Sequence, residues 1–397
     1  MQTNVSNTTP DFPLPAGYTS HDNYLEQLVR AGAQSLYTVM TKPVNDRIQQ
    51  ELAIIQRLGF AQYYLILQDI LQAARKMNIL VGPGRGNAAG SIIAYCLGIT
   101  AVDPLAYGLL FERVLHPDGN TIPDIDSDVD LEGRPAIVDY TNRKYNGRVL
   151  ITQYDEVHPA ETGVLQVDIL GKKTFSILKT ASTLIRQNHE KDFTLNKISL
   201  ADAATYRLFQ EGNTSGIPFF DHPDMQAYLK ELKPVSYTQL VAIYALFNSG
   251  TFQFVSTYIQ NKNQAPDFAY DLPALKEILG ETCGVLIYQE QLMVLSQRIA
   301  GFSPEDSDRL RRALQKKKNI ALRPGFRSKF LQGGKDNGHI KATLENTWEE
   351  WEIKGEYLFN KSHAVSFVLV AYQTAWIKCH YPTEFLSAVR AVTAANA

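Results

Sequence analysis

The sequence predicts an α+β protein whose first part mixes helices with a small sheet and whose second part is helical. Three observations carry this. Apolar residues recur at helical spacing through most of the first hundred positions, residues 121–131 alternate strictly, and helical spacing returns after residue 172 and lasts to the end.

Taken in order, residues 1–20 read as a flexible lead-in, polar and proline-bearing, without the basic start and apolar core of a signal peptide. Residues 45–58 place Ile48, Leu52, Ile55 and Leu58 on one helical stripe, and 60–77 continue at the same spacing. Leu80-Val81 is a short strand candidate, followed by the loop GPGRGN and a tightly packed helix over 88–97. Residues 121–131 are a strand candidate, and Pro135 suits the first turn of a helix reaching about Tyr145. Asn146-Gly147 then carries a two-residue hairpin signal, with strands expected at 148–153 and 163–169.

Composition narrows the class. The 397 residues are 45% apolar and 20% charged, ordinary for a soluble globular protein of two or three domains. No window is long and apolar enough for a membrane span, so no membrane partner is expected and cytoplasm is the default. Cys96, Cys283 and Cys379 are far apart and odd in number, which supports neither a disulfide framework nor a zinc site. Net charge is −2, but it is unevenly spread. Five acids and no base lie between Asp124 and Glu132, and nine Arg or Lys and no acid between Arg309 and Lys329.

The segment TIPDIDSDVDLE is the most informative. In a strand, side chains at i and i+2 share a face, so Asp124, Asp126, Asp128 and Asp130 would project together. Like charges side by side disfavour a strand unless something cationic offsets them. Hard carboxylate oxygens suit Mg²⁺ or Mn²⁺, and two-metal phosphoryl transfer needs such a cluster plus a carboxylate from elsewhere. The plain alternative is a solvated acidic edge strand. A calcium loop beginning at Asp128 is a poorer fit, because its interleaved residues are too apolar.

About forty residues upstream, GPGRGNAAGS offers glycines for close approach to phosphate and a following helix with free N–H groups. Asn87 is a candidate N-cap, and Arg85 could pair with phosphate. No Lys-Ser/Thr follows the last glycine, so this is no Walker A loop. The fragment GRGNAA fits the dinucleotide pattern loosely, but the surrounding chain is helical rather than βαβ. A tight strand-to-helix turn explains the loop equally well when it is taken alone.

In this order and spacing, the two motifs resemble the catalytic alpha subunit of bacterial DNA polymerase III, the C family. That family's palm carries a GPGRGS-type loop and then a PDIDIDF row; here the stretch reads GPGRGNAAGSIIAYCLGITAVDPLAYGLLFERVLHPDGNTIPDIDSDV. Further matches are ITQYDEVHPAETGVLQVDILG, IYQEQLMVLSQRIAGFSPEDSDRLRRALQKKK and FNKSHAVSFVLVAYQTAWIKCHYPTEFLSAV, in unbroken order. The resemblance implies a polymerase-beta-like nucleotidyltransferase palm over 21–172 and helical fingers over 173–397. It implies metal-binding and catalytic carboxylates at Asp124, Asp126 and Asp168, with Asp128 in a supporting role. By the same resemblance Arg85, Gly86 and Asn87 fall on the triphosphate-binding loop. Arg311, Arg312, Lys316, Lys317 and Lys318 fall in a phosphate- or nucleic-acid-binding segment, for which a solvated helix face is the simpler reading. Two Mg²⁺ ions, nucleoside triphosphates, primer-template or single-stranded DNA, and replication proteins are the implied cofactors and partners.

The departures bear on activity. The loop serine of the family is Asn87, a lysine two places before Asp168 is Gln166, and the family's RPGP is Asn248-Ser249-Gly250-Thr251. The last two changes remove cations from the positive charge that would oppose a triphosphate. A thumb looks deleted near 146–150, and the family's N-terminal phosphoesterase and C-terminal domains have no counterpart. The expectation is a minimal, non-processive nucleotidyltransferase. The alternative is a catalytically weakened paralogue that binds DNA or a replication protein.

Overall fold

The computed structural model describes residues 10–115, 122–152, 164–249, 252–264, 270, 272–315 and 317–395. The chain divides into two compact units, Met1–Ile198 with Val365–Ala397, and Ser199–Ala364. The first unit therefore continues past residue 172, where the sequence suggested a boundary, and takes back the end of the chain.

The first unit begins with α1 (His21–Leu36), α2 (Lys42–Leu58) and α3 (Ala61–Lys76). Their stripes follow from the spacing: Leu25, Val29 and Ala33 of α1, and Val44, Ile48 and Ile55 of α2, are buried. Ala61, Tyr64, Leu67 and Leu71 of α3 join the same core. The expected helix over 88–97 is broken in two, a 3₁₀ turn at Ala88–Gly90 and a short α4 (Ile92–Cys96).

The sheet has three strands in the order β1-β3-β2: β1 (Ser127–Asp130), β2 (Val149–Thr152) and β3 (Leu165–Lys172). The strand expected over 121–131 is therefore shorter, and Leu80-Val81 contributes only a bridge, Val81 to Val129. α5 (Arg134–Tyr145) ends at Asn146, whose left-handed backbone (φ 49°) caps it. Asn146-Gly147 thus closes a helix and makes no hairpin. The segment before Asn146 is a helix and not a strand, so β2 has no partner across that turn and instead runs parallel to β3, with Val149 opposite Leu165. α6 (Lys173–Asn188) follows β3 directly and packs Phe175, Leu178, Ala181 and Ile185 with Phe385 and Ala388 of the closing helix α17 (Pro382–Ala395).

The second unit is helical from α7 (Ala203–Gln210) to α15 (Lys341–Lys354). Between them lie α8 (Pro223–Leu232), α9 (Tyr237–Asn248), α10 (Phe252–Gln264), α11 (Pro273–Leu279), α12 (Gln289–Ala300), α13 (Pro304–Gln315) and α14 (Arg323–Asp336). Leu292, Leu295, Ile299, Leu310, Phe330, Trp348 and Trp351 form a core there. The YQEQ and FNKSH stretches meet in this unit: Gln289 N–H donates to the Phe359 carbonyl (2.9 Å), and Lys361 N–H to Glu290 (3.0 Å). His363 N–H donates to Asn360, which caps α16 (Lys361–His380). Through α16 the chain returns to the first unit.

Candidate active site

The glycine loop is stitched to the acid row through the backbone. Gly82 N–H donates to the Asp128 carbonyl (2.7 Å) and Arg85 N–H to that of Asp126 (3.1 Å). Gly84 holds φ at 98°, and a Cβ there would meet Thr100 Cγ2 at 2.8 Å, so this turn needs glycine on both counts.

Side chains repeat the attachment. Arg85 Nη2 lies 3.3 Å from Asp126 and its Nε 3.6 Å from the buried Asp128. Asn87 Nδ2 donates to the exposed Asp124 at 2.6 Å. Asn87 thus stands at the N-cap position of the 3₁₀ turn, as the sequence suggested, but its side chain makes no capping bond. The α4 donors find other acceptors: Ala94 N–H bonds Ser91 Oγ (3.1 Å), and Ile92 and Ile93 N–H bond the carboxylate of Glu51 (3.1 and 3.2 Å). Glu51 is fully buried, accepts from Ser91 Oγ (2.8 Å) and pairs with Arg47 Nε (2.6 Å). The helix terminus expected to cradle a triphosphate already holds a protein carboxylate. Any anion at this loop must use the Gly84–Asn87 turn itself.

The row also divides in function. Asp130 is wholly buried and accepts from Leu80 N–H (2.6 Å), Gly133 N–H (3.0 Å) and Lys179 Nζ (3.0 Å), a set of bonds that holds the fold. Asp168 stands on the central strand β3. β1 pairs with β3 in parallel with Ser127 opposite Ile169, and that register continued one residue back sets Asp126 against Asp168. Burial pushes the Asp126 carboxyl up to about 7, against the pull of Arg85 and with the charges of Asp124, Asp168 and Asp128 adding to the rise. Burial also raises the Asp128 carboxyl, opposed by Arg85 and Lys172.

Among the described residues no three acidic, histidine or cysteine side chains already surround one point that an ion could fill. The donor set and the charge nevertheless fit a divalent cation. The oxygens are hard carboxylates, and a cation would favour the ionised form of the Asp126 carboxyl, which burial first and its acidic neighbours second disfavour. Asp128 Oδ1 is buried without a hydrogen-bond partner. Arg85 now supplies part of that positive charge.

In the basic segment, Arg311 is buried, with its guanidinium on Asp308 (2.8 Å) and Gln315 (2.6 Å). Arg312 is half exposed and pairs with the same Asp308. The side chains of Lys316, Lys317 and Lys318 lie outside the described residues. Sequence reasoning missed Glu51, although an acid at a stripe position between Ile48 and Ile55, four residues after Arg47, was a signal for it.

Comparison with known proteins gives the family. Residues 23–154 match the family model described as bacterial DNA polymerase III alpha NTPase domain, and residues 174–338 that of the bacterial DNA polymerase III alpha subunit finger domain. The chain is 30% identical to DNA polymerase III subunit alpha of Aquifex aeolicus over 525 residues, covering 98% of this chain and 45% of that protein. Against the subunit of Halalkalibacterium halodurans it is 30% identical over 490 residues (96% and 44%), and against that of Borreliella burgdorferi 31% over 488 (96% and 42%). The chain thus spans less than half the length of these relatives. Each alignment is also longer than the 397 residues here, so the relatives carry positions inside the matched span that this chain lacks. With both matched models falling in sequence order on the two halves of the chain, it belongs to the family of bacterial DNA polymerase III alpha subunits.

Proposed function

We infer that this chain is a minimal nucleotidyltransferase that extends a nucleic-acid 3′ end from nucleoside triphosphates, without processivity. The observation that carries this reading is the attachment of a glycine turn to a crowded acid row by Arg85 and Asn87. Asp124, Asp126 and Asp168 would hold Mg²⁺, with Asp128 in support. The ions would polarise the attacking and leaving oxygens. The turn from Gly84 to Asn87 would meet the triphosphate through backbone N–H groups and the Arg85 guanidinium, once that guanidinium is released from Asp126. Asp168, whose charge adds to the rise of the Asp126 carboxyl, would orient the 3′ hydroxyl and take up its proton. Residues 21–172 would be the palm and 173–397 the fingers; primer-template or single-stranded DNA and replication proteins would be the partners. Fewer aligned positions than in the relatives support weak, salt-sensitive grip on DNA.

A second reading, a weakened paralogue that binds DNA or a replication protein, draws support from the acids being already engaged by Arg85 and Asn87. Primer extension with Mg²⁺ or Mn²⁺ separates the two, with wild type beside Asp124→Ala and Asp168→Ala. Incorporation lost in both variants supports the enzyme. No incorporation by the wild type with either metal, while DNA is still bound, supports the accessory protein.

A further inference from the structure

The first unit carries a cleft of about 280 Å³ whose lining includes none of Arg85, Asp124, Asp126 or Asp168. Its walls are residues 78–83, the end of α3 and one stripe of α6, where Lys179, Ser182 and Arg186 follow at helical spacing. Arg75, Thr194, Asn196 and Gln373 add to the cationic and polar lining, and no Asp or Glu takes part. Lys179 is neutralised by Asp130. Arg75 instead donates to the Gly98 carbonyl (2.5 Å) and Arg186 to Thr183 Oγ1 (3.1 Å), and among the described residues neither guanidinium has an acidic partner.

Two further observations bear on donors among the lining residues. Ser182 is 4% exposed, and its hydroxyl has no hydrogen-bond partner. A helical serine can usually bond the carbonyl one turn back, so a buried hydroxyl left open leaves a cost that a ligand oxygen would remove. Val81 is the second. Gly82 N–H bonds Asp128 and Asp130 N–H bonds Leu80, so Val81 forms a non-hydrogen-bonded pair with Val129 and turns its own peptide groups away from β1.

Two guanidinium forks, an open hydroxyl and a strand N–H, with no carboxylate among them, match the oxygens of a phosphate. We propose that this cleft is a second phosphate-binding site, which takes a phosphate-bearing group no larger than a nucleotide through Arg75, Arg186 and Ser182. It holds whether or not the acid row is catalytic, because the two share no residue.

The test is calorimetric titration of pyrophosphate into the whole chain, with chelator present so that no metal recruits it to the acid row. Arg186→Gln should weaken binding at least about tenfold and Ser182→Ala about threefold, while Arg30→Gln, whose exposed side chain on α1 pairs with Glu26, stays within about twofold of wild type. Should Arg186→Gln fail to fold, Arg186→Lys keeps the charge but loses the fork, and it should still bind measurably more weakly than wild type. Unchanged affinity in the cleft variants, an equal loss in Arg30→Gln, or no binding by the wild type at millimolar pyrophosphate would overturn the proposal. A labelled single-stranded oligonucleotide identifies the source of the phosphate. Affinity that falls with Arg186→Gln in step with pyrophosphate assigns it to a nucleic-acid backbone, and indifference assigns it to a free nucleotide; either result keeps the site.

Discussion

Asn87 donates a 2.6 Å hydrogen bond to Asp124, and so holds with its carboxamide one of the oxygens that a metal would need. Asn87→Ala should therefore act in opposite directions with and without metal. Metal-free protein should lose about 1 kcal/mol, since the bond is to a charged but exposed group. Mn²⁺ should bind more tightly, because Asp124 no longer has to give up a partner. Thermal melts with and without Mn²⁺ read both effects, and a variant weaker in both conditions would contradict the competition.

The raised Asp126 carboxyl sets a pH dependence. Its folded value, about 7, lies above the ordinary carboxylate value of 3.8. Between those limits the folded chain binds more protons than the unfolded one, so metal-free protein should gain stability as pH falls from about 7 towards 4 and lose it as pH rises. One proton gives a slope of up to about 1.4 kcal/mol per pH unit. Asp126→Asn should flatten that slope. Denaturant unfolding at several pH values in the presence of chelator is the measurement.

Glu51 should be the costliest acid to remove. Glu51→Ala strands the Arg47 guanidinium and leaves Ser91, Ile92 and Ile93 without their acceptor, a loss of about 3–5 kcal/mol. Glu51→Gln keeps the size and one acceptor oxygen and should cost less. Chemical denaturation ranks the two, and equal stability of wild type and Glu51→Ala would remove Glu51 from the account.

Gly32 reverses the usual helix rule. Alanine normally improves an exposed helix by about 1 kcal/mol over glycine. Here a Cβ on α1 would lie 1.9 Å from the Cys96 carbonyl oxygen at the end of α4, so backbone would have to move. Gly32→Ala should destabilise by about 2 kcal/mol or more, which a melting curve detects.

Residue types and spacing made most of this legible. The α2 stripe and the glycine turn are local patterns, and each lies where its spacing put it; of the acid row only Asp128 and Asp130 fall within β1. What the sequence hid depends on distant partners. Asn-Gly after a helix and Asn-Gly within a hairpin look alike until the segment before it is seen to be α5. Glu51 could be taken for a solvated acid on α2, because the donors that justify its burial come forty residues later. Arg311 could be taken for a phosphate ligand, because its ion pair with Asp308 is one of several that a run of mixed charges permits.

Phe175, Leu178, Ala181 and Ile185 on α6 are covered by Phe385 and Ala388, residues some two hundred positions further on. On the ribosome, the N-terminal unit must wait with that apolar face bare until the intervening helices have emerged. The order of synthesis and the order of completion are then inverted. The 199–364 segment can close on its own core while its predecessor is still open, and α17, made after that segment, seals the unit that was begun before it.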